Sequence, residues 1–263
     1  MSAFASRIVV AAILLPVVLG VVWLGGWWLV GLALGGGLLA LHELYGMARA
    51  LRPVVLAGYA GLALTVLGAQ LGGPTWLLAG ILATIPATLL VFFVSSARQN
   101  AVAGFSVTLL GVAWVGGGLA LLLLVRDIPL DGRLLVFTTL LAVFADDTVA
   151  YVVGRAIGRH RMSPAISPGK TWEGFAAGTV AAVGVTFFAL YEQEVLTNAE
   201  APVLGVVIAL AATLGDLFES AVKRDLGVKD SGRLLAGHGG VLDRLDAPLW
   251  AGPAAYVALL ALT

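Results

Sequence analysis

The chain has 263 residues, 60% of them hydrophobic and 11% charged, with 15 basic side chains balancing 15 acidic ones. Its mean hydropathy of +1.02 excludes water as the main solvent. The absence of cysteine excludes disulfides and thiolate metal sites, and no nucleic-acid partner is expected.

Apolar runs of about 17 to 25 residues span the hydrocarbon core of a bilayer. Nine are expected here: residues 8–24, 27–47, 54–71, 75–94, 103–125, 134–153, 172–191, 202–222 and 246–262. Backbone groups in lipid must be satisfied within each run, which makes them helices. The expectation is an all-α, polytopic integral membrane protein with about nine transmembrane helices in a single helical membrane domain. Residues 1–140 are its scaffold and 141–263 its catalytic core. The first two runs are separated only by Gly25-Gly26, and Gly35-Gly36-Gly37 interrupts the second, so a re-entrant hairpin is an alternative there. The first run exceeds a signal-peptide core and lacks a cleavage site, so it reads as a mature helix. The seven tryptophans mostly mark span ends, as an interfacial belt does.

The distribution of charge orients the chain. With the N-terminus in the cytoplasm, cytoplasmic loops and ends carry thirteen of the fifteen basic residues, and only Arg126 and Arg133 fall outside. The polar loops 154–171 and 223–245 then both face the cytosol.

Acids within or at the ends of apolar helices are costly and tend to be paired or functional. In chain order the first is Glu43, for which a basic partner in the core is the natural expectation, although nothing local supplies one. Asp146 and Asp147 end the sixth run. Asp147, Tyr151 and Arg155 follow at i, i+4, i+8 on one face. Beyond them, Thr171 as N-cap and Glu173 in the first turn of the next helix have a complete structural account. Lys170 has none and could reach a phosphate. In the eighth run Asp216, Ser220 and Lys223 share a face at i, i+4, i+7. An i, i+4 pair with Lys223 accounts for Glu219 as well as any functional role does. Asp243 and Asp246, at i, i+3, share a face at the start of the last helix and could join Asp216 in an oxygen cage for Mg²⁺. The surrounding Lys223, Arg224, Lys229, Arg233 and Arg244 suggest phosphate ligands, although topology and anionic lipid explain a basic loop equally well. The glycines of Gly237-His238-Gly239-Gly240 allow close approach to an anion, or make a plain turn.

The run SAVKRDLGVKDSGRLLAGHGGVLDRLD, Ser220 to Asp246, resembles the signature of the phosphatidate cytidylyltransferases, also called CDP-diglyceride synthases. The preceding Gly215-Asp216-Leu217-Phe218-Glu219 also fits. Asp147-Thr148-x-Ala150-Tyr151, Gly154-Arg155 and Ser167-Pro168-x-Lys170-Thr171-x-Glu173-Gly174 resemble the family's other cytosolic motif. Leu41-x-Glu43 is a fainter echo. The chain departs from the pattern at Gly169, Ala236 and Ala247, where the family often has lysine, proline or glycine, and serine.

The resemblance implies a dimeric, all-helical membrane enzyme that converts CTP and phosphatidate to CDP-diacylglycerol and pyrophosphate with Mg²⁺, with or without a second cation. The membrane it implies is a bacterial inner membrane. Carried over motif by motif, it makes Asp216, Lys223, Arg224, Lys229, Asp230, His238, Asp243, Arg244 and Asp246 catalytic. Asp147, Tyr151, Arg155, Ser167, Lys170, Thr171, Glu173, Ser220, Gly239 and Gly240 become substrate-binding. The expected metal ligands are Asp216 and Asp243, joined by Asp147 or Asp246. Two rivals stand beside this reading. An ion transporter would also hold intramembrane acids, but should show repeats, and none is visible. A CDP-alcohol phosphotransferase should carry a D-x-x-D-G-x-x-A-R run, which this sequence lacks.

Overall fold

The computed structural model describes residues 16–94, 100–129, 131–232 and 239–263. His238, Arg233, Ala236, Arg7 and Arg98 lie outside them, as does the first half of the first apolar run. Seven helices among the described residues are long and apolar enough to cross a membrane. The molecule is an all-α polytopic membrane protein whose chain falls into two compact units. One comprises residues up to 124 with 226–245, the other residues 125–225 with 246–263.

In the first unit, helical residues 16–24 (α1) lead through Gly25, at φ 66°, into α2, Gly26–Met47. The triple glycine does not break α2 into a re-entrant hairpin. Gly37 is instead a packing site, because a side chain there would strike Leu62 and Leu119. Helix α3, Val55–Val94, carries non-helical backbone at Gly72 and Gly73. Gly73, at φ 67°, takes a conformation costly for other residues, and Pro74 cannot continue a hydrogen-bonded helix. The two arms fold back on each other. Gly61 adjoins Thr84, Gly80 adjoins Thr65, and Gly68 adjoins the backbone of Trp76, with no room for a Cβ at any of the three. The runs 54–71 and 75–94 are thus the arms of a helical hairpin.

Helix α4, Ala101–Gly111, continues through a π turn, Val112–Gly116, into α5, Gly117–Arg126. The π turn sets Trp114 inside the unit. This tryptophan is not at a span end, unlike the exposed Trp23, Trp27 and Trp28. Leu41, Leu44, Leu62, Val66 and Val115 are buried between α2, α3 and the π turn. The short α9, Leu242–Leu245, packs on α2.

The second unit is built from α6, Gly132–Ile157, α7, Trp172–Leu190, α8, Glu200–Asp225, and α10, Pro248–Leu262. Helix α7 packs on both α6 and α8, and α10 on α8. Glycines set the spacing. Gly174 sits against the Ala150 carbonyl and Gly154, and Gly205 against Val183. The polar loop between α6 and α7 contains a two-stranded antiparallel hairpin, β1 (Arg161–Ser163) and β2 (Ser167–Thr171), where only a loop is expected from sequence. With strands of three and five residues and Pro168-Gly169 inside the second, it has no alternating apolar pattern to reveal it.

Candidate active site

In the second unit, α8 and the start of α10 bring three carboxylates together. One oxygen each from Asp216, Glu219 and Asp246 lie within 4.8 Å of one another. Helical spacing sets Asp216 and Glu219 on adjacent turns of α8. Asp246 reaches them from the turn before Pro248, where Gly215 lets α8 approach the Asp246 carbonyl and the Trp250 ring. Phe218 and Trp250, with ring centroids 5.3 Å apart, pack beside this joint.

Two lysines serve the cluster. Lys170, from β2, extends its ammonium to Asp216 at 2.8 Å and donates to the Thr213 carbonyl at 3.3 Å. Lys223 pairs with Glu219 one turn along α8. The i, i+4 pair expected from sequence therefore exists, but Glu219 is only 1% exposed and belongs to the carboxylate cluster. Ser220 donates to the other Asp216 oxygen at 3.3 Å. Asp147 and Lys223 are electrostatic neighbours of Asp246. Asp146, 2% exposed, presses against Gly178, and its Oδ1 accepts no hydrogen bond among the described residues.

Carboxylates about 5 Å apart repel by about 3 kcal/mol per pair at an effective dielectric of 20. Three acids against two lysines leave negative charge over. An all-oxygen donor set with residual negative charge matches a hard divalent cation, so the residues present fit Mg²⁺.

Asp243 does something else. It lies in the first unit, where it accepts from the Ser231 amide at 3.1 Å and the Gly240 amide at 2.7 Å. The i, i+3 spacing that suggested a shared face with Asp246 holds only along a continuous helix. Here α9 ends at Leu245 and a turn intervenes before α10. Gly239, at φ 81°, and Gly240 have no room for side chains, which would meet Asp243 at one position and Glu43 and Ser231 at the other. The anions these glycines approach include the protein's own carboxylates.

The remaining expected residues are more scattered. Arg155 donates to the Tyr151 hydroxyl at 2.9 Å on an exposed face of α6. The Thr171 hydroxyl accepts from the Gly174 amide at 3.1 Å and caps α7. Glu173 accepts from the backbone and ring of His160, tying the hairpin entrance to α7. Ser167 opens β2, and Arg224 donates to the Ile166 carbonyl at 3.4 Å. Lys229, Asp230 and Arg244 are exposed. Sequence reasoning left two buried acids of this unit out of the site: Glu219 and Asp146. Their signal was the burial cost shared by every intramembrane acid, and it did not rank them.

Residues 5–262 match the model of the cytidylyltransferase family. A phosphatidate cytidylyltransferase of Staphylococcus haemolyticus is 33% identical over 258 residues, 97% of this chain and 98% of the relative. One from Brucella abortus is 34% identical over 264 aligned positions, 98% of this chain and 93% of the relative. One from Mycobacterium tuberculosis is 47% identical over 131 residues, half of this chain, and the match spans 40% of that relative's length. The chain belongs to the cytidylyltransferase family.

Proposed function

We propose that the protein transfers the cytidylyl group of CTP to phosphatidate, giving CDP-diacylglycerol and pyrophosphate, and that it depends on Mg²⁺ held by Asp216, Glu219 and Asp246. The observation that carries this reading is the trio of carboxylates interlocked with Lys170 and Lys223. Bound there, Mg²⁺ supplies charge neutralisation for the phosphate oxygens and the pyrophosphate leaving group. Asp147 supplies a further acid beside Asp246.

Chemistry of this kind is mostly positioning and electrostatic compensation. A phosphatidate oxygen forms a bond to the α-phosphorus of CTP while the bond from that phosphorus to the β-phosphate oxygen breaks. The nucleophile is a phosphate monoester with a second pKa near 6, so it is largely ionised at neutral pH without a general base. The task left to the protein is to hold two polyanions together. Lys170 and Lys223 are already held by acids at the site, and phosphate oxygens compete for their ammonium groups. Arg224, in the last turn of α8, screens part of the remaining repulsion. The bias of basic residues toward alternate loops supports a cytoplasmic N-terminus and a site open to cytosolic CTP. The bacterial relatives support an inner-membrane location, and the family resemblance a homodimer.

The test is direct. Purified protein in mixed micelles with phosphatidate, CTP and Mg²⁺ forms CDP-diacylglycerol, and excess EDTA stops it. No product with any divalent cation would refute the assignment.

A further inference from the structure

Glu43 is a carboxylate 5% exposed near the end of α2, and the partners its oxygens have among the described residues are neutral donors. Its oxygens accept from the Ser231 hydroxyl at 3.0 Å, the Val241 amide at 3.0 Å and the Leu242 amide at 2.9 Å. Ser231 is shared, because its own amide donates to Asp243. Gly232 and Gly240 both lie against the Glu43 carboxylate, with no space for a Cβ. A helix nearly 190 residues away in sequence therefore grips both ends of the stretch from Ser231 to Leu242. Burying an acid is costly unless hydrogen bonds stabilise its charged form. Among the described residues, the donors to Glu43 come from the segment that carries the signature glycines.

We propose that Glu43 is a positioning residue for the signature segment, fixing residues 239–242 so that Gly239 and Gly240 are presented in one conformation for turnover. The proposal rests on the cytidylyl transfer assigned above. The donors demand a carboxylate. A glutamine places its NH₂ against the Val241 amide or, turned over, against the Leu242 amide and Ser231. Either way it loses acceptors and sets donor against donor. The resemblance makes Gly239 and Gly240 substrate-binding, and misplacing such a segment by about 1 Å costs turnover on the order of a hundredfold. Substrate binding to other elements survives, so the loss falls on kcat.

The experiment combines kinetics with hydrogen–deuterium exchange on the full-length protein. Glu43→Ala should lower kcat on the order of a hundredfold, with KM for CTP and phosphatidate within about twofold of wild type. Glu43→Gln should recover part of the loss, and Ser231→Ala should cost the least. Exchange at the Val241 and Leu242 amides should quicken in Glu43→Ala, while peptides from α6 to α8 keep wild-type protection. Unchanged exchange at those amides would overturn the anchor. A loosened segment with wild-type kcat would overturn the positioning role. If Glu43→Ala does not fold, Ser231→Ala and Glu43→Gln decide by the same two readouts. A wild-type protein that makes no CDP-diacylglycerol would refute the assigned activity, and exchange would still decide whether Glu43 is the anchor.

Discussion

Two groups of buried and half-buried acids in this protein have different surroundings. Glu43 and Asp243, in the first unit, face backbone amides and one hydroxyl of a single segment. Asp216, Glu219 and Asp246, in the second unit, face one another and two lysines. Acids that accept from the fold's own N–H groups hold the chain in place. Acids that crowd together leave charge for a cation or a basic partner to neutralise. Residue type and exposure do not separate the groups, since Glu43 and Glu219 are both buried glutamates. The donors around them do.

The comparison breaks most easily at the second group. Asp246→Ala or Asp216→Ala should lower turnover on the order of a thousandfold while the protein remains folded. Ligands that bind the native state raise its stability by mass action, so Mg²⁺ should raise the thermal midpoint of wild type and not of these variants. An equal Mg²⁺ response in Asp246→Ala would remove this acid from the metal site. Glu219→Gln is the next step down. It keeps the shape but removes one charge from the trio and the partner of Lys223, and turnover should fall on the order of a hundredfold. If the glutamate served only as a surface-type helix pair, the loss would stay below about twofold.

Lys170→Ala tests the smaller claim that β2 supplies charge to the site. Its ammonium spans from the hairpin to α8 through one ion pair and one carbonyl. Removing it should raise KM for CTP or phosphatidate about tenfold, because screening of anionic substrates acts in the ground state as well as the transition state. A fall in kcat alone would give Lys170 a different role.

Much of this architecture was legible in the sequence because lipid imposes one rule on every apolar run. The runs 54–71 and 75–94 end where Gly72-Gly73-Pro74 turns the chain, and the run 172–191 lies almost wholly on α7, Trp172–Leu190. The first run, 8–24, is described only from residue 16, and the other eight fall on seven long helices because α3 holds two of them. The division of labour among the acids was not legible. Periodicity placed Asp243 beside Asp246 by assuming an unbroken helix, and the turn at 246–247 assigns them to different partners. Glu43 was harder still. A one-dimensional pattern does not show that a carboxylate in α2 will meet amides nearly 200 residues later.

The smallest expected effect lies at the far end of the polar hairpin, where an acid has exposed partners. Glu173 accepts from the His160 ring at 2.6 Å, but the histidine side chain is 79% exposed. Water competes for both groups there, and exposed ion pairs contribute little. The carboxylate also keeps its bond to the His160 backbone amide when the ring is removed. His160→Ala should therefore shift the thermal midpoint by no more than about 2 °C and leave turnover within about twofold. A larger loss would mean that the ring does more than fasten β1 to α7. It would then belong with the charged cluster of the second unit, and exposure would be a poor guide to which acids of this protein matter.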